Sequence, residues 1–368
     1  MKILITGNLG YVGPWVTRQL RSSHPNAILI GLDTGYFAHC LTGPRHAPEA
    51  LLDAQYYADI RRFPPECLVG VDAVVHLAAI SNDPMGNAYE NVTLDVNYHA
   101  GVELARRAKA AGVRSFVFAS SCSVYGSADD RPRTERSAVA PLTAYAKSKV
   151  LTEEGLRDLA APTFKVSCLR FATACGMSDR LRLDLVLNDF VACALSTRRI
   201  TVLSDGTPWR PLINVKDMAR AIEWAIDREA DSGGSFLVVN AGSNAWNFQV
   251  VELAEAVAGV IPGTEVSINR AAPPDKRSYR VDFSLFGDLA PFHQPQSDLA
   301  STIDRLREGL QSIQFNDNDF RNSSFMRLRV LSGLVSLGLL NATLEWTYRR
   351  SLLPAMPVDN SETASLPH

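Results

Sequence analysis

Apolar positions in the first 170 residues alternate between short continuous runs and stretches with helical spacing. Lys2–Thr6, Ala27–Leu32, Gln55–Ala58, Ala73–Leu77, Ser115–Ala119 and Phe164–Arg170 read as strands. Val12–Ser22 reads as a helix, and so does Asn91–Ala111, whose Val92, Val96, Val102, Leu104, Ala105 and Ala108 share a face. Strands apolar on both sides, separated by helices, predict an α/β fold with a doubly wound parallel sheet and right-handed crossovers. Beyond about residue 175 the rhythm loosens into helix Leu181–Thr197, strand Ile200–Leu203, helix Val215–Arg228, strand Phe236–Asn240, helix Phe248–Val260 and strand Glu265–Ile268. The expected organisation is a sheet domain over 1–175 and a smaller α/β substrate domain over 176–315 that lends elements back to the sheet. A helical extension over 316–353 and a disordered tail over 354–368 complete it.

Composition narrows the function classes without choosing one. The 368 residues carry 37 Lys plus Arg against 39 Asp plus Glu, a formal charge of −2, so nothing marks a nucleic-acid or anionic-membrane partner. No apolar run reaches the roughly 18–20 residues of a membrane span. The chain enters a strand directly after Lys2, with no signal-peptide pattern. Six cysteines lack any C-x-x-C spacing and the histidines lack metal-ligand spacing, so a reduced cytoplasmic protein without a metal is expected.

Thr6-Gly7-Asn8-Leu9-Gly10-Tyr11-Val12-Gly13 lies between the first strand and the first helix. A tight strand-to-helix turn needs glycine, a diphosphate needs close backbone N–H groups and a helix N-terminus, and the last glycine lets helix and strand approach. Asp33 ends the second strand, where a carboxylate accepts ribose hydroxyls and repels a 2′-phosphate, favouring NAD. Asp59-Ile60 follows the third strand, as an adenine contact or as a solvated strand end. A second signal is Tyr145-Ala146-Lys147-Ser148-Lys149: residues four apart share a helix face, and an ammonium beside a phenol favours the phenolate. Ser120-Ser121-Cys122-Ser123-Val124-Tyr125-Gly126 follows the fifth strand, where hydroxyls face the ligand crevice of a parallel sheet.

With these motifs the chain resembles an extended short-chain dehydrogenase/reductase of the NAD-dependent epimerase/dehydratase family, which acts on nucleotide sugars. The T-G-x-x-G-x-x-G loop, His76-Leu77-Ala78-Ala79, S-S-x-S-V-Y-G and Y-x-x-x-K match in order and spacing over roughly residues 1–285. The resemblance implies a Rossmann-type doubly wound sheet with NAD held by Gly7, Gly10, Tyr11, Val12, Gly13, Asp33, Asp59, Ile60, Leu77, Ala78, Ala79 and Ser120. It implies Tyr145 as general base and acid, Lys149 lowering its pKa and binding ribose, and Ser121 hydrogen-bonding the reacting oxygen, with Ser120 and Ser123 as lesser candidates. Asn97 matches the asparagine that supports the family's active site. Arg210-Pro211-Leu212-Ile213-Asn214-Val215-Lys216-Asp217 resembles the segment whose Arg holds the nucleotide diphosphate, and Asn188 and Arg277 match further diphosphate ligands. A nucleotide-diphosphate sugar is the implied substrate. Helices Asn91–Ala111 and Ala144–Leu159 match a pair that builds a four-helix homodimer interface.

The reaction is read from what accompanies the triad. Dehydrating relatives carry an acidic residue after the catalytic Ser/Thr; here Cys122 and Ser123 stand there, which favours a 4-epimerase over a 4,6-dehydratase or ketosugar reductase. Cys122 reads as a packed residue. A non-catalytic NAD sensor is a further alternative, opposed by the complete Ser121, Tyr145 and Lys149 set. Departures from the family gather on the sugar side: Thr173 replaces an Asn, and Ser81-Asn82-Asp83 forms an unusual loop with Asp83 as a possible substitute acid. Arg180 and Arg182 stand near the expected diphosphate, as anion ligands or as a solvated helix start.

Overall fold

Ile3, Ile5, Val75 and Val117 pack in one apolar cluster, while Leu4, Val74, Phe116 and Phe118 pack in another. Successive strand residues point to opposite faces, so both faces of these strands are buried. The computed structural model describes residues 1–43, 47–126, 131–272 and 278–347. Its strands are β1 (Lys2–Thr6), β2 (Ile28–Asp33), β3 (Ala54–Tyr57), β4 (Ala73–His76), β5 (Ser115–Ser121), β6 (Lys165–Phe171), β7 (Thr173–Cys175), β8 (Arg199–Val202), β9 (Trp209–Asn214), β10 (Phe236–Ala241), β11 (Asn247–Gln249) and β12 (Glu265–Ile268). Seven form one parallel sheet in the order β10-β6-β5-β4-β1-β2-β3. This is the doubly wound Rossmann-type arrangement, with its order reversing between β1 and β4. Strand β10, from the second half of the chain, closes one edge. Two small sheets, β11-β9-β7 and β12-β8, lie outside it.

The helices are α1 (Gly13–Ser23), α2 (Asp83–Ala88), α3 (Glu90–Leu94), α4 (Ala100–Ala110), α5 (Ala144–Arg157), α6 (Val186–Ser196), α7 (Val215–Asp227), α8 (Val250–Val260), α9 (Ser284–Leu289), α10 (Leu299–Ser312) and α11 (Arg327–Ser336). A third apolar cluster joins α6, α8 and α10 around Val191, Leu253 and Leu306. Among the described residues no helix is long and apolar enough to cross a membrane. All six cysteines are free and buried.

Three expectations change. The helix expected over Leu181–Thr197 begins only at Val186, because the Leu183 N–H is taken by the Phe325 carbonyl (3.1 Å) and Arg182 closes a turn onto Asp184 (2.8 Å). Phe248 does not open α8: it lies in β11, antiparallel to β9, and the helix starts at Val250 behind a capping box of Gln249 and Glu252. The long helix Asn91–Ala111 is broken by a π-helical turn, Asp95–His99, between α3 and α4. Among the described residues of the extension, α11 and a short turn at Phe320–Asn322 are helical, and Leu340 then pairs with Trp346. The tail expected over 354–368 lies outside the described residues.

Candidate active site

Chain sterics shape the loop between β1 and α1. Gly7 has φ +72°, and a Cβ there would stand 2.5 Å from the Ala78 backbone nitrogen. At Gly13 an added Cβ would stand 2.0 Å from the Asn8 carbonyl oxygen. Only glycine permits these approaches. They let the loop line a cleft of about 860 Å³, with Gly10, Tyr11, Val12, Asp33, Asp59, Ile60 and Leu77–Ala79 on its walls. Gly13 packs behind that wall against Asn8. The Asp33 carboxylate accepts from the Leu9 N–H (3.1 Å) and the Gly35 N–H (2.7 Å). Burial raises its pKa, and those two donors act against the shift. Asp59 lines the cleft with its carboxylate already engaged by Arg61 at 2.6 Å. A long cleft closed by a glycine loop, with a carboxylate near one end, fits a dinucleotide.

At the start of α5, Thr143 caps the helix by accepting from the Ala146 N–H (3.2 Å), which sets the phase that points Tyr145 and Lys149 the same way. Ser121, the last residue of β5, shares a hydrogen bond with Tyr145. The Lys149 ammonium donates to the Ala119 carbonyl (2.7 Å) and stands 5.5 Å from the Tyr145 ring centre. Burial pulls Lys149 down to about 7, opposed by the nearby Glu153 carboxylate. Burial likewise pushes Tyr145 up to about 12, against the Ser121 hydrogen bond. The expected lowering of the Tyr145 pKa by Lys149 is therefore not obtained from the chain's own groups, because desolvation outweighs them. Asn97 sits on the π turn, accepting from the Ile80 N–H (2.8 Å) and donating to Ser148 Oγ (2.9 Å), and so ties the loop after β4 to α5.

Behind Lys149 lies a buried network that the sequence reading missed. Glu153 is bound by Arg170 at 2.6 Å, and Arg170 also donates to the Tyr125 hydroxyl (3.0 Å), which donates to Asn240 (2.7 Å). Tyr145, Lys149 and Glu153 follow at four-residue spacing, the one local sign of it. Ser120 belongs to this network, not to the cleft: its hydroxyl donates to Glu153, because neighbouring strand residues face opposite ways. That removes Ser120 as a cofactor ligand. Cys122 is 1% exposed and its thiol donates to the Arg170 carbonyl (3.1 Å), a packed position. Ser123 Oγ is buried without a hydrogen-bond partner.

On the sugar side, Arg180 is not where it was expected. Its side chain is buried against Glu49 (2.6 Å), a pairing that uses its charge away from the cleft. Arg182, two residues on, lines the cleft and donates to Ser81 Oγ (3.1 Å) while paired with Asp184. Asn82 caps α2 and donates to Asp184 (2.7 Å). Asn188 accepts from the Gly176 N–H (2.9 Å) and donates to the Tyr11 hydroxyl (3.3 Å) and the Arg182 carbonyl (2.8 Å), so its amide braces the glycine loop from within the protein. Thr173 opens β7, beside Leu212 of β9. Tyr279, which nothing local marked, is buried within electrostatic reach of Arg210, Asp83 and Tyr145. Arg277 lies outside the described residues. Among those described, His24, Glu223 and Asp227 come close enough to share a cation, with His24 and Asp227 3.2 Å apart.

Comparison with known proteins matches residues 3–242 to the model of the NAD-dependent epimerase/dehydratase family. UDP-glucuronic acid decarboxylase 6 of Arabidopsis thaliana is 26% identical over 330 residues, which is 87% of this chain and 89% of that protein. UDP-glucose 4-epimerase of Corynebacterium glutamicum is 29% identical over 296 residues, 74% of this chain and 85% of that one. Among solved structures, an NAD-dependent NDP-hexosamine 5,6-dehydratase involved in tunicamycin biosynthesis superposes with a TM-score of 0.73 at 26% identity, covering 86% of this chain and 99% of that one. The chain thus belongs to the NAD-dependent epimerase/dehydratase family, with NAD as its cofactor.

Proposed function

We propose that the protein is a nucleotide-sugar epimerase that oxidises the sugar transiently at C4. The observation that carries this reading is the grouping of Ser121, Tyr145 and Lys149 with no carboxylate at positions 122 and 123. NAD, held by the glycine loop and Asp33, would supply a reversible hydride acceptor for C4. Tyr145 takes the C4 hydroxyl proton and gives it back, and Ser121 holds the same oxygen by a hydrogen bond. Lys149 places a cation 5.5 Å from the phenol ring, and Glu153 supports that charge against burial. Hydride return to the other face of the ketone would invert C4 without net redox change. A curated UDP-glucose 4-epimerase at 29% identity supports the substrate class.

Incubation with UDP-, GDP-, CDP- and dTDP-sugars tests this. The expected product has unchanged mass and an inverted C4, with no net NADH formed. A second reading, dehydration, is favoured by Asp83: its carboxylate accepts from the Thr143 hydroxyl (2.7 Å) and acts electrostatically on Tyr145. A product lighter by one water would replace the epimerase reading with this one. Substrate contacts are assigned to Ser81, Ser123, Thr173 and Arg210, with Asn82 and Asn188 positioning the walls. We also propose a cytoplasmic homodimer formed through α4 and α5, for which sedimentation should return twice the chain mass.

A further inference from the structure

Among the described residues, two arginines line the cofactor cleft, Arg182 and Arg327. Arg182 is neutralised by Asp184 at 2.8 Å. Arg327 differs in origin and in company. It opens α11 in the C-terminal extension, beyond the 3–242 segment that matches the family model. Its side chain is 1% exposed, with the guanidinium 4.9 Å from the Phe37 ring centre. The Nη groups donate to the carbonyls of Ser324 (3.1 Å), Arg180 (2.8 Å) and Leu181 (3.3 Å). Those carbonyls leave part of the five-donor fork unused. Among the described residues no carboxylate forms an ion pair with it. Burial lowers its pKa to about 10, so it is still a cation at neutral pH.

A buried cation without an anion is costly, and this one stands on the wall of a cleft that takes a dianionic cofactor. The chain around it is stitched to the same wall. Tyr36, which lines the cleft, donates to the Leu344 carbonyl, and Trp346 Nε1 donates to the Thr34 carbonyl (2.7 Å). Arg61 donates to the Thr343 carbonyl (2.8 Å). The segment after α11 therefore backs the loop that follows β2.

We propose that Arg327 is a cofactor-binding residue that holds the diphosphate of NAD, making the C-terminal extension a wall of the cofactor site. A planar fork suits two phosphate oxygens. The diphosphate is favoured over a 2′-phosphate because the ribose end already holds the Asp33 carboxylate, which would repel one. The inference rests on the cofactor and not on the reaction proposed above, so binding measurements test it alone.

The test uses calorimetry on cofactor-free protein with NAD, NADP, ADP and adenosine. Arg327→Met keeps the apolar stem against Phe37 and removes the charge. The expected result is a loss of about 10- to 100-fold in affinity for NAD and ADP, with adenosine unchanged. Unchanged ADP affinity, an equal loss for adenosine, or a loss confined to NADP overturns the assignment. Should that variant fail to fold, the wild-type protein answers by hydrogen exchange. ADP is expected to slow exchange in peptides covering 327–347, and adenosine is not. Exchange that ADP leaves unchanged, or that adenosine slows equally, overturns the proposal.

Discussion

The cofactor cleft and the cluster around Tyr145 are built by different physics. In the cleft the protein relies on shape: glycines at 7 and 13 allow approaches that any side chain would block, and backbone N–H groups orient the Asp33 carboxylate. Around Tyr145 it relies on charge in a desolvated place. Lys149, Glu153 and Arg170 are each under a tenth exposed, and on both Lys149 and Arg170 burial and the Glu153 carboxylate act in opposite directions. A shape-built site fails when an atom is added. A charge-built site fails when a partner is removed, because the group left behind is buried and unpaired.

Substitutions in each region test that contrast. The largest effect is expected from Tyr145→Phe: turnover should fall by about 10²- to 10⁴-fold while NAD affinity stays at the wild-type value, measured by product formation and calorimetry. Wild-type turnover in that variant would end the catalytic assignment. Glu153→Gln should lower unfolding stability by about 3–5 kcal/mol in a denaturant titration, since Arg170 loses its carboxylate inside the protein. Gly13→Ala should cost about 1–3 kcal/mol through steric displacement of Asn8 and should also weaken NAD binding, which Glu153→Gln leaves largely intact. A reversal of that binding pattern would break the distinction between the two regions.

The pH dependence sharpens it further. Lys149 has a folded pKa of about 7, below its unfolded value, so between pH 7 and its ordinary range the unfolded chain binds the extra proton. Stability of cofactor-free protein is then expected to rise with pH across that window, and Lys149→Met should remove this contribution from the melting curves. Equal slopes in the two proteins would show that Lys149 is not desolvated. The smallest effect should come from Glu103→Ala, which removes exposed ion pairs to Arg106 and Arg107 on α4 and should change stability by less than about 0.5 kcal/mol.

The Arg180 and Arg182 pair shows where sequence reading stops. Two residues apart and chemically identical, one is held by Glu49 and the other lines the cleft. The choice depends on a carboxylate 131 positions away. Ser120 and Ser121 part in the same manner, one donating to Glu153 on α5 and the other bonded to Tyr145. Strand alternation would have separated them, but not told which faced the ligand. The π turn that aims Asn97 has no local sign either, since its periodicity differs from an α-helix by a single residue.

By itself the sequence determined the parallel sheet, the glycine loop, Asp33 and the shared face of Tyr145 and Lys149. These depend on apolar period, on backbone sterics and on helix geometry within a few residues, which do not wait for the rest of the chain. Only the tertiary structure decided which arginine meets the cleft, that Tyr145 and Lys149 are desolvated, and that Arg327 reaches the cofactor wall from the far end of the chain. Those outcomes are set by burial and by partners distant in sequence, and neither exists until the chain has folded.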